Sequence, residues 1–334
     1  MKERPSVSKR NAIVRSIGMS VAARILTNAD LEKLVETNDE WITSRTGIKE
    51  RRISEPDQGA SYFATRAAKE ALDRAAVSPE KVEAIIVATV TGDQVFPATS
   101  CLVQEALGAN NAAAFDVGAA CAGFIYATEI AASMIRAGSI NNAVIVGVDV
   151  LTKLVDWTDR STCILFGDGG GAIYMEAGEE DRGLIATVIK SDGSGARHIH
   201  MKVGGSLSPA SKIAESGLRP YLFMAGQEVY RFAVKAMTDS CCSVLAKAGM
   251  TADEIDLFVP HQANLRIITA ASQRLGLPPE KIYVNVQKYG NMSAGSIPVA
   301  LYEAEQEGRL KRGDVVMTVG FGAGLVWGAN IIRW

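Results

Sequence analysis

The chain has 334 residues, 48% hydrophobic and 22% charged, with a formal net charge of −2. Such a composition is globular and long enough for two domains or two fused halves, and it excludes a general electrostatic attraction to nucleic acid or to an anionic membrane. The cysteines, Cys101, Cys121, Cys163, Cys241 and Cys242, are odd in number and lack C-x-x-C spacing, which argues against a disulfide framework or a zinc site and for reduced thiols in a cytoplasmic setting.

Residues 1–10 are basic (Lys2, Arg4, Lys9, Arg10). Two readings stay open for them: a transit-type segment, or a short flexible tail ahead of a first strand near 12–17. No apolar core precedes a cleavage-like site, so secretion is not expected, and no apolar run is long enough to span a bilayer. Residues 37–47 read as a short helix, with Thr37 or Asn38 as cap, Asp39 and Glu40 in the first turn and Gly47 as the stop. Trp41 and Arg45 then share one face. They suit a planar ring such as adenine, although the local pattern favours a structural Trp with an Arg laid along it.

An Ala-rich helix is predicted at 60–75, a doubly covered strand at 85–90 and a helix near 100–107. A strand then ends near Val117. A turn of small residues carries Cys121, and a helix is predicted over 122–136. A cysteine at a helix start meets unpaired N–H groups that favour thiolate; a small buried hydrophobe is the plain alternative. A buried strand follows at 143–148. The Phe-Gly-Asp-Gly-Gly-Gly run within 162–171 has no Gly-Lys-Ser/Thr behind it, so its glycines are assigned to tight turns and close backbone packing rather than to phosphate. A charged seam at 176–183 precedes a long loop at 204–220 and a long helix that carries Cys241 and Cys242.

The second part of the chain repeats the first. Glu83 and Asp256 lead similar apolar strands. Asp116-Val117, small residues and Ala122-Gly123 correspond to Asn285-Val286, small residues and Ala294-Gly295. Strands also follow at 143–148 and 314–319. Alternating strands and helices imply α/β halves, at 11–183 and 184–334, with ligands where equivalent strand ends meet. That brings Cys121 towards His261, which follows Pro260, and Asn291, which follows Val286. Thiol, imidazole and amide form a chemically competent set. His198 and His200 lie in a loop without nearby carboxylates, so no metal is expected.

The segments 118–124 (Gly-Ala-Ala-Cys-Ala-Gly-Phe), 259–264 (Val-Pro-His-Gln-Ala-Asn), 289–294 (Tyr-Gly-Asn-Met-Ser-Ala) and 320–328 (Gly-Phe-Gly-Ala-Gly-Leu-Val-Trp-Gly) resemble the β-ketoacyl-acyl-carrier-protein synthase III family of the thiolase superfamily. Asp39-Glu-Trp41-Ile-Thr-Ser-Arg45-Thr-Gly-Ile and Thr158-Asp-Arg160 resemble it too, and the match runs from about residue 12 to 334 in family order. The resemblance implies a thiolase-like five-layered αβαβα fold, a homodimer and no cofactor. It also implies decarboxylative condensation of an acyl-CoA primer, acetyl-CoA first, with malonyl-acyl carrier protein to begin fatty-acid synthesis. Cys121 would carry the acyl group, with His261 and Asn291 bonding the malonyl thioester carbonyl. Backbone N–H groups of Cys121, Ala323 and Gly324 would form an oxyanion hole. Trp41 and Arg160 would bracket the CoA adenine, Arg45 would meet its phosphates, and Gly226 and Asn264 would lie along the pantetheine arm. Arg231 and Arg266 match carrier-docking positions and are otherwise solvated arginines. Phe96 matches a residue of the partner subunit's acyl pocket. The rival readings are a thiolase or other condensing enzyme on the same scaffold, above all one of a polyketide- or quinolone-type pathway, and a non-catalytic binding member.

Overall fold

The computed structural model describes residues 10–334. The expected tail therefore lies, apart from Arg10, outside the described residues. Two sheets dominate. The first has five strands in the order Asn11–Val21, Asp168–Gly178, Asn142–Val150, Ala84–Ala88 and Ala113–Val117. The second has four: Gly183–Ser191, Val326–Arg333, Val315–Gly322 and Leu257–Pro260. Read from these ends, the two orders follow one plan. An edge strand lies against the last strand of its half, then come the two strands that end at the cavity described below.

The layers follow from which faces are apolar. Helix Ala60–Ala75 buries Ala60, Phe63, Ala64, Ala67, Ala71 and Leu72, a stripe at three- and four-residue spacing. It covers the outer face of the five-stranded sheet, as does Thr99–Leu107 through Val103. Helices Gly123–Ala137 and Ser296–Gln306 lie between the sheets, and both are buried on most of their surface. Phe124, Ile135, Leu301, Ile86, Val259 and Val316 fill that middle layer. Helices Gly226–Ala248 and Leu265–Arg274 close the far side over Met237, Val244, Phe258 and Ile331. Each fully buried aliphatic or Phe side chain contributes about 1.5–3 kcal/mol.

Three local differences from the sequence reading have physical causes. Gly169, Gly170 and Gly171 lie inside the strand Asp168–Gly178 rather than in turns. Close packing is the part of that expectation that applies here: a Cβ on Gly170 would stand 2.3 Å from the Gly147 carbonyl oxygen, and one on Gly171 2.9 Å from Pro298 Cβ. Ahead of Val286 there is only a single bridge, between Phe258 and Ile282, and then the short helix Val286–Tyr289. The Gln262 side chain takes the place of a strand neighbour, its Oε1 accepting from Asn285 N at 3.0 Å and Val286 N at 3.2 Å. Finally, the helix starts equate Gly123 with Ser296, one residue away from the pairing of Ala122-Gly123 with Ala294-Gly295. Small residues are interchangeable by type, and the backbone settles their register.

Candidate active site

Two turns face each other where the halves meet. Ala120–Ala122 and Ser293–Gly295 are both single 3₁₀ turns that feed a central helix, and both begin on a non-glycine residue in the left-handed region, Ala120 at φ 42° and Ser293 at φ 48°. This conformation costs a residue with a Cβ of the order of 1 kcal/mol and persists where surrounding structure enforces it. The turns border a cavity of about 390 Å³. Cys121, His261 and Asn291 all line it.

Cys121 sits in its 3₁₀ turn, two residues before the helix Gly123–Ala137 begins. Burial is the largest influence on its thiol, which is pushed up to about 12. Asp149 raises it as well, while a hydrogen bond with the Ser293 side chain works in the opposite direction. Desolvation and a neighbouring carboxyl thus act against the thiolate that a helix start favours. Asp149 is fully buried. Its Oδ1 accepts from Thr89 Oγ1 (3.0 Å), Val90 N (2.9 Å) and Thr91 Oγ1 (2.7 Å), and its Oδ2 from Ala294 N (3.3 Å). It therefore ties a strand end of one half to the turn of the other.

His261 leaves the strand Leu257–Pro260, donates its backbone N–H to Val319 O at 2.7 Å and is 1% exposed. Burial holds its imidazole down at about 3, so the ring is neutral at physiological pH. Nδ1 lies 2.6 Å from Ser296 Oγ, whereas Nε2 is buried without a protein partner. The Phe321 ring stands edge-on to it at 5.4 Å. Asn291 Oδ1 accepts the Ser293 N–H at 2.8 Å, and its Nδ2 has no protein partner among the described residues. A ring nitrogen of a neutral imidazole and an amide nitrogen are thus left over in the cavity that holds the thiol.

The outer wall comes from the segments 26–53 and 151–166. Leu31, Ile42, Ile48, Val155, Phe166 and Val286 form its core. The buried Arg51 guanidinium binds it together, Nη1 donating to Leu26 O (3.1 Å) and Asn28 Oδ1 (2.9 Å) and Nη2 to Ile164 O (2.8 Å). Helix Asp39–Thr46, capped by Asn38 Oδ1 on Trp41 N, presents Trp41 and Arg45 to the cavity. The Arg45 and Arg160 guanidinium carbons lie 4.7 and 5.1 Å from the Trp41 ring centre. Arg160 itself stays at the rim and donates to Glu36 O at 2.9 Å.

The other expected residues divide. Gly226 and Asn264 line the cavity. Asn264 is also the cap of helix Leu265–Arg274, its Oδ1 accepting from Arg266 N and its Nδ2 donating to Arg45 O at 3.0 Å. Ala323 and Gly322 line it, but Gly324 does not. A Cβ on Gly322 would stand 2.6 Å from Cys121 N, so Gly322 keeps that N–H approachable. Arg231 and Arg266 are exposed on the two outer helices, where Arg266 packs over Tyr230, a lining residue, at 5.6 Å. Phe96 is 81% exposed and away from this chain's own cavity. Sequence reasoning passed over Ser296, Phe321, Gln262 and Asp149. The repeat held the signal for Ser296, since it is the helix-start equivalent of Gly123.

A thiol sharing a cavity with a neutral imidazole and a side-chain amide, at the meeting of two similar α/β halves, is the arrangement of a thiolase-type condensing enzyme. The family models agree: residues 115–193 match 3-oxoacyl-[acyl-carrier-protein (ACP)] synthase III, and residues 245–334 match its C-terminal part. A β-ketoacyl-[acyl-carrier-protein] synthase III of Symbiobacterium thermophilum is 51% identical over 96% of this chain and 97% of that protein. The 3-oxoacyl-[acyl-carrier-protein] synthase III structure from Aquifex aeolicus VF5 superposes with a TM-score of 0.90 at 46% identity, covering 97% of this chain and all of that one. A priming β-ketosynthase of the R1128 polyketide pathway gives a TM-score of 0.92 at 34% identity, over 99% and 98%. The chain belongs to the β-ketoacyl-acyl-carrier-protein synthase III family, acyltransferases of thiolase fold that initiate fatty-acid synthesis.

Proposed function

We propose that Cys121, His261 and Asn291 carry the condensation in two half-reactions. The observation behind this is the shared cavity, which Cys121, His261 and Asn291 all line, with His261 Nε2 buried and without a partner among the described residues. In the first half-reaction the Cys121 sulfur attacks the carbonyl of an acyl-CoA, with acetyl-CoA the expected primer. The C–S bond to CoA breaks, and the thiol proton ends on the departing CoA sulfur. The backbone N–H of Cys121 and that of Ala323 support the oxyanion; Gly324 helps shape that turn from outside the cavity.

In the second half-reaction malonyl-acyl carrier protein loses CO₂. The electron pair moves into the thioester carbonyl as an enolate, which His261 and Asn291 stabilise as donors. The enolate carbon attacks the Cys121 thioester, 3-oxoacyl-acyl carrier protein leaves, and the sulfur regains a proton from solvent. Neither donor needs a charge, which suits an imidazole kept neutral by burial.

Substrate delivery follows the same reading. Trp41 and Arg160 stack directly at 5.1 Å; a flat adenine between them needs about 7 Å, two van der Waals spacings, so Arg160 swings outward to admit it. Arg45 meets the CoA phosphates, and Gly226 with the Asn264 backbone borders the pantetheine arm. The exposed Arg231 and Arg266 offer an acidic carrier protein a basic rim. The strand Ala113–Val117 is a partly exposed sheet edge, and Val95 and Phe96 are 85% and 81% exposed. Both features support a homodimer in which Phe96 reaches the partner's cavity. Five free thiols suit a reducing cytoplasm, and among the described residues no helix is long and apolar enough to cross a membrane.

Intact-protein mass spectrometry after incubation with mixed acyl-CoAs tests the first half-reaction. We expect one acyl group on Cys121, released as 3-oxoacyl-acyl carrier protein once malonyl-acyl carrier protein is added. Cys121 left unlabelled by every acyl-CoA overturns the proposal. Turnover with free malonyl-CoA but not with the carrier-bound form favours the specialised-pathway alternative.

A further inference from the structure

Hydroxyl groups in the helices of this fold mostly turn back on their own helix. Thr128 Oγ1 donates to Phe124 O at 2.7 Å, Ser272 Oγ to Ile268 O at 2.8 Å, and Thr238 Oγ1 to Val234 O at 2.9 Å. Ser296, first residue of its helix and fully buried, makes no such bond among the described residues. Its Oγ accepts the Gln262 backbone N–H at 3.3 Å and lies 2.6 Å from His261 Nδ1. A hydroxyl has one proton to give. The Gln262 N–H takes one of the oxygen's two lone pairs, and His261 Nδ1 is the only acceptor within reach of the hydroxyl proton among the described residues, so the proton goes to the imidazole.

The rest of the ring's surroundings supports the same direction. Phe321 covers one side, and the backbone of His261 is pinned to Val319. Among the described residues no carboxylate bonds Nδ1; a carboxylate there would hold an Nδ1–H and favour the imidazolium. The hydroxyl does neither. Gln262, itself fixed by Pro260 O at 2.7 Å and by the Asn285 and Val286 N–H groups, holds the Ser296 side of this arrangement rigid.

We propose that Ser296 donates to His261 Nδ1 and thereby fixes the imidazole as its Nε2–H tautomer, making Ser296 a positioning residue for decarboxylation. The inference rests on the reading of His261 as a donor to the malonyl thioester carbonyl. An Nδ1–H tautomer would turn a lone pair on the forming enolate, so the tautomer decides whether the ring helps or opposes the step. Acylation of Cys121 does not use that N–H and is far less sensitive.

¹⁵N NMR of histidine-labelled protein reads the tautomer directly. Only three histidines are present, and His261→Ala assigns the signal. We expect Nδ1 bare and Nε2 protonated in the unaltered protein, and a mixture of tautomers in Ser296→Ala. In half-reaction assays with malonyl-acyl carrier protein, Ser296→Ala lowers decarboxylation by roughly tenfold or more while Cys121 acylation falls much less, and Ser296→Thr restores most of the loss. Nδ1 protonated in the unaltered protein, or full decarboxylation by a folded Ser296→Ala, overturns the proposal. If His261→Ala itself decarboxylates normally, the underlying reading fails. If His261→Ala is impaired and Ser296→Ala is not, the role of Ser296 alone falls.

Discussion

The two strand ends that open on the cavity are built on one backbone plan and furnished in opposite ways. In the first half the strand Ala84–Ala88 pairs with Asn142–Val150, Ala88 opposite Gly147. In the second half Leu257–Pro260 pairs with Val315–Gly322, Pro260 opposite Val319. One step beyond each strand stands Thr89 or His261, and two steps beyond the paired residue stands Asp149 or Phe321. The first half thus carries a hydroxyl on a buried carboxyl at 3.0 Å, the second an imidazole against an aromatic edge at 5.4 Å. Polar locking in one half holds the two turns in register through Ala294 N. Apolar enclosure in the other keeps a base uncharged. Duplication supplied the scaffold twice, and the division of labour lies in what replaced what at four or five equivalent positions.

The sharpest way to break this comparison is to remove one chemical group from each side. Cys121→Ala loses primer acylation altogether and with it condensation, a loss on the order of 10⁴-fold or more. Asn291→Ala still acylates Cys121 but loses decarboxylation by about 10²–10³-fold, the effect of deleting one donor to a developing oxyanion. Intact mass for the acyl adduct and CO₂ release for the malonyl step separate the two. Equal damage to both steps by both variants would show that the halves do not divide the chemistry.

Much of this was legible in the residues. The helix at 60–75 shows its apolar stripe, Cys121 and its small neighbours mark a turn, and the motifs around His261 and Asn291 name the family. What was hidden depends on distance through space. The Cys121 thiol is pushed up first by burial and further by a carboxyl 28 positions along the chain on another strand, and no local pattern reports either. Ser296 reads as one more small residue until the helix starts align it with Gly123. The strand expected before Val286 failed because the Gln262 side chain satisfies those N–H groups, and a side chain standing in for a strand leaves no periodicity. Gly324 follows the family motif in sequence yet sits outside the cavity that Gly322 and Ala323 border.

A second contrast is expected in the pH dependence of stability. The folded His261 titrates at about 3, against 6.5 for an ordinary histidine. Between those values the unfolded chain binds a proton that the folded chain refuses, so stability rises with pH up to about 6.5 and its His261 contribution is flat above. Urea denaturation should show the unaltered protein losing about 1.4 kcal/mol per pH unit below 6.5 relative to His261→Ala. Thr89, its counterpart, has no such titration, and Thr89→Ala should lower stability without changing that slope. Parallel pH profiles for His261→Ala and the unaltered protein would mean that the imidazole is not enclosed as neutral.

The smallest expected effect concerns how the first half restrains its own thiol. Asp149 raises the Cys121 thiol, so Asp149→Asn removes one of the two upward influences and leaves burial in place. The Asn carbonyl can still accept from Thr89, Val90 and Thr91, but its amide then meets the Ala294 N–H, donor against donor, which loosens the tie between the turns. Alkylation of Cys121 by iodoacetamide at pH 8 should therefore quicken by a few-fold, in proportion to the larger thiolate fraction. Condensation should fall in the same variant, because the turn Ser293–Gly295, whose first N–H is bonded to Asn291 Oδ1, is no longer pinned. Faster alkylation with slower condensation is the signature of a carboxyl kept for alignment at a cost in thiol reactivity; unchanged alkylation would mean that its charge does not reach the sulfur.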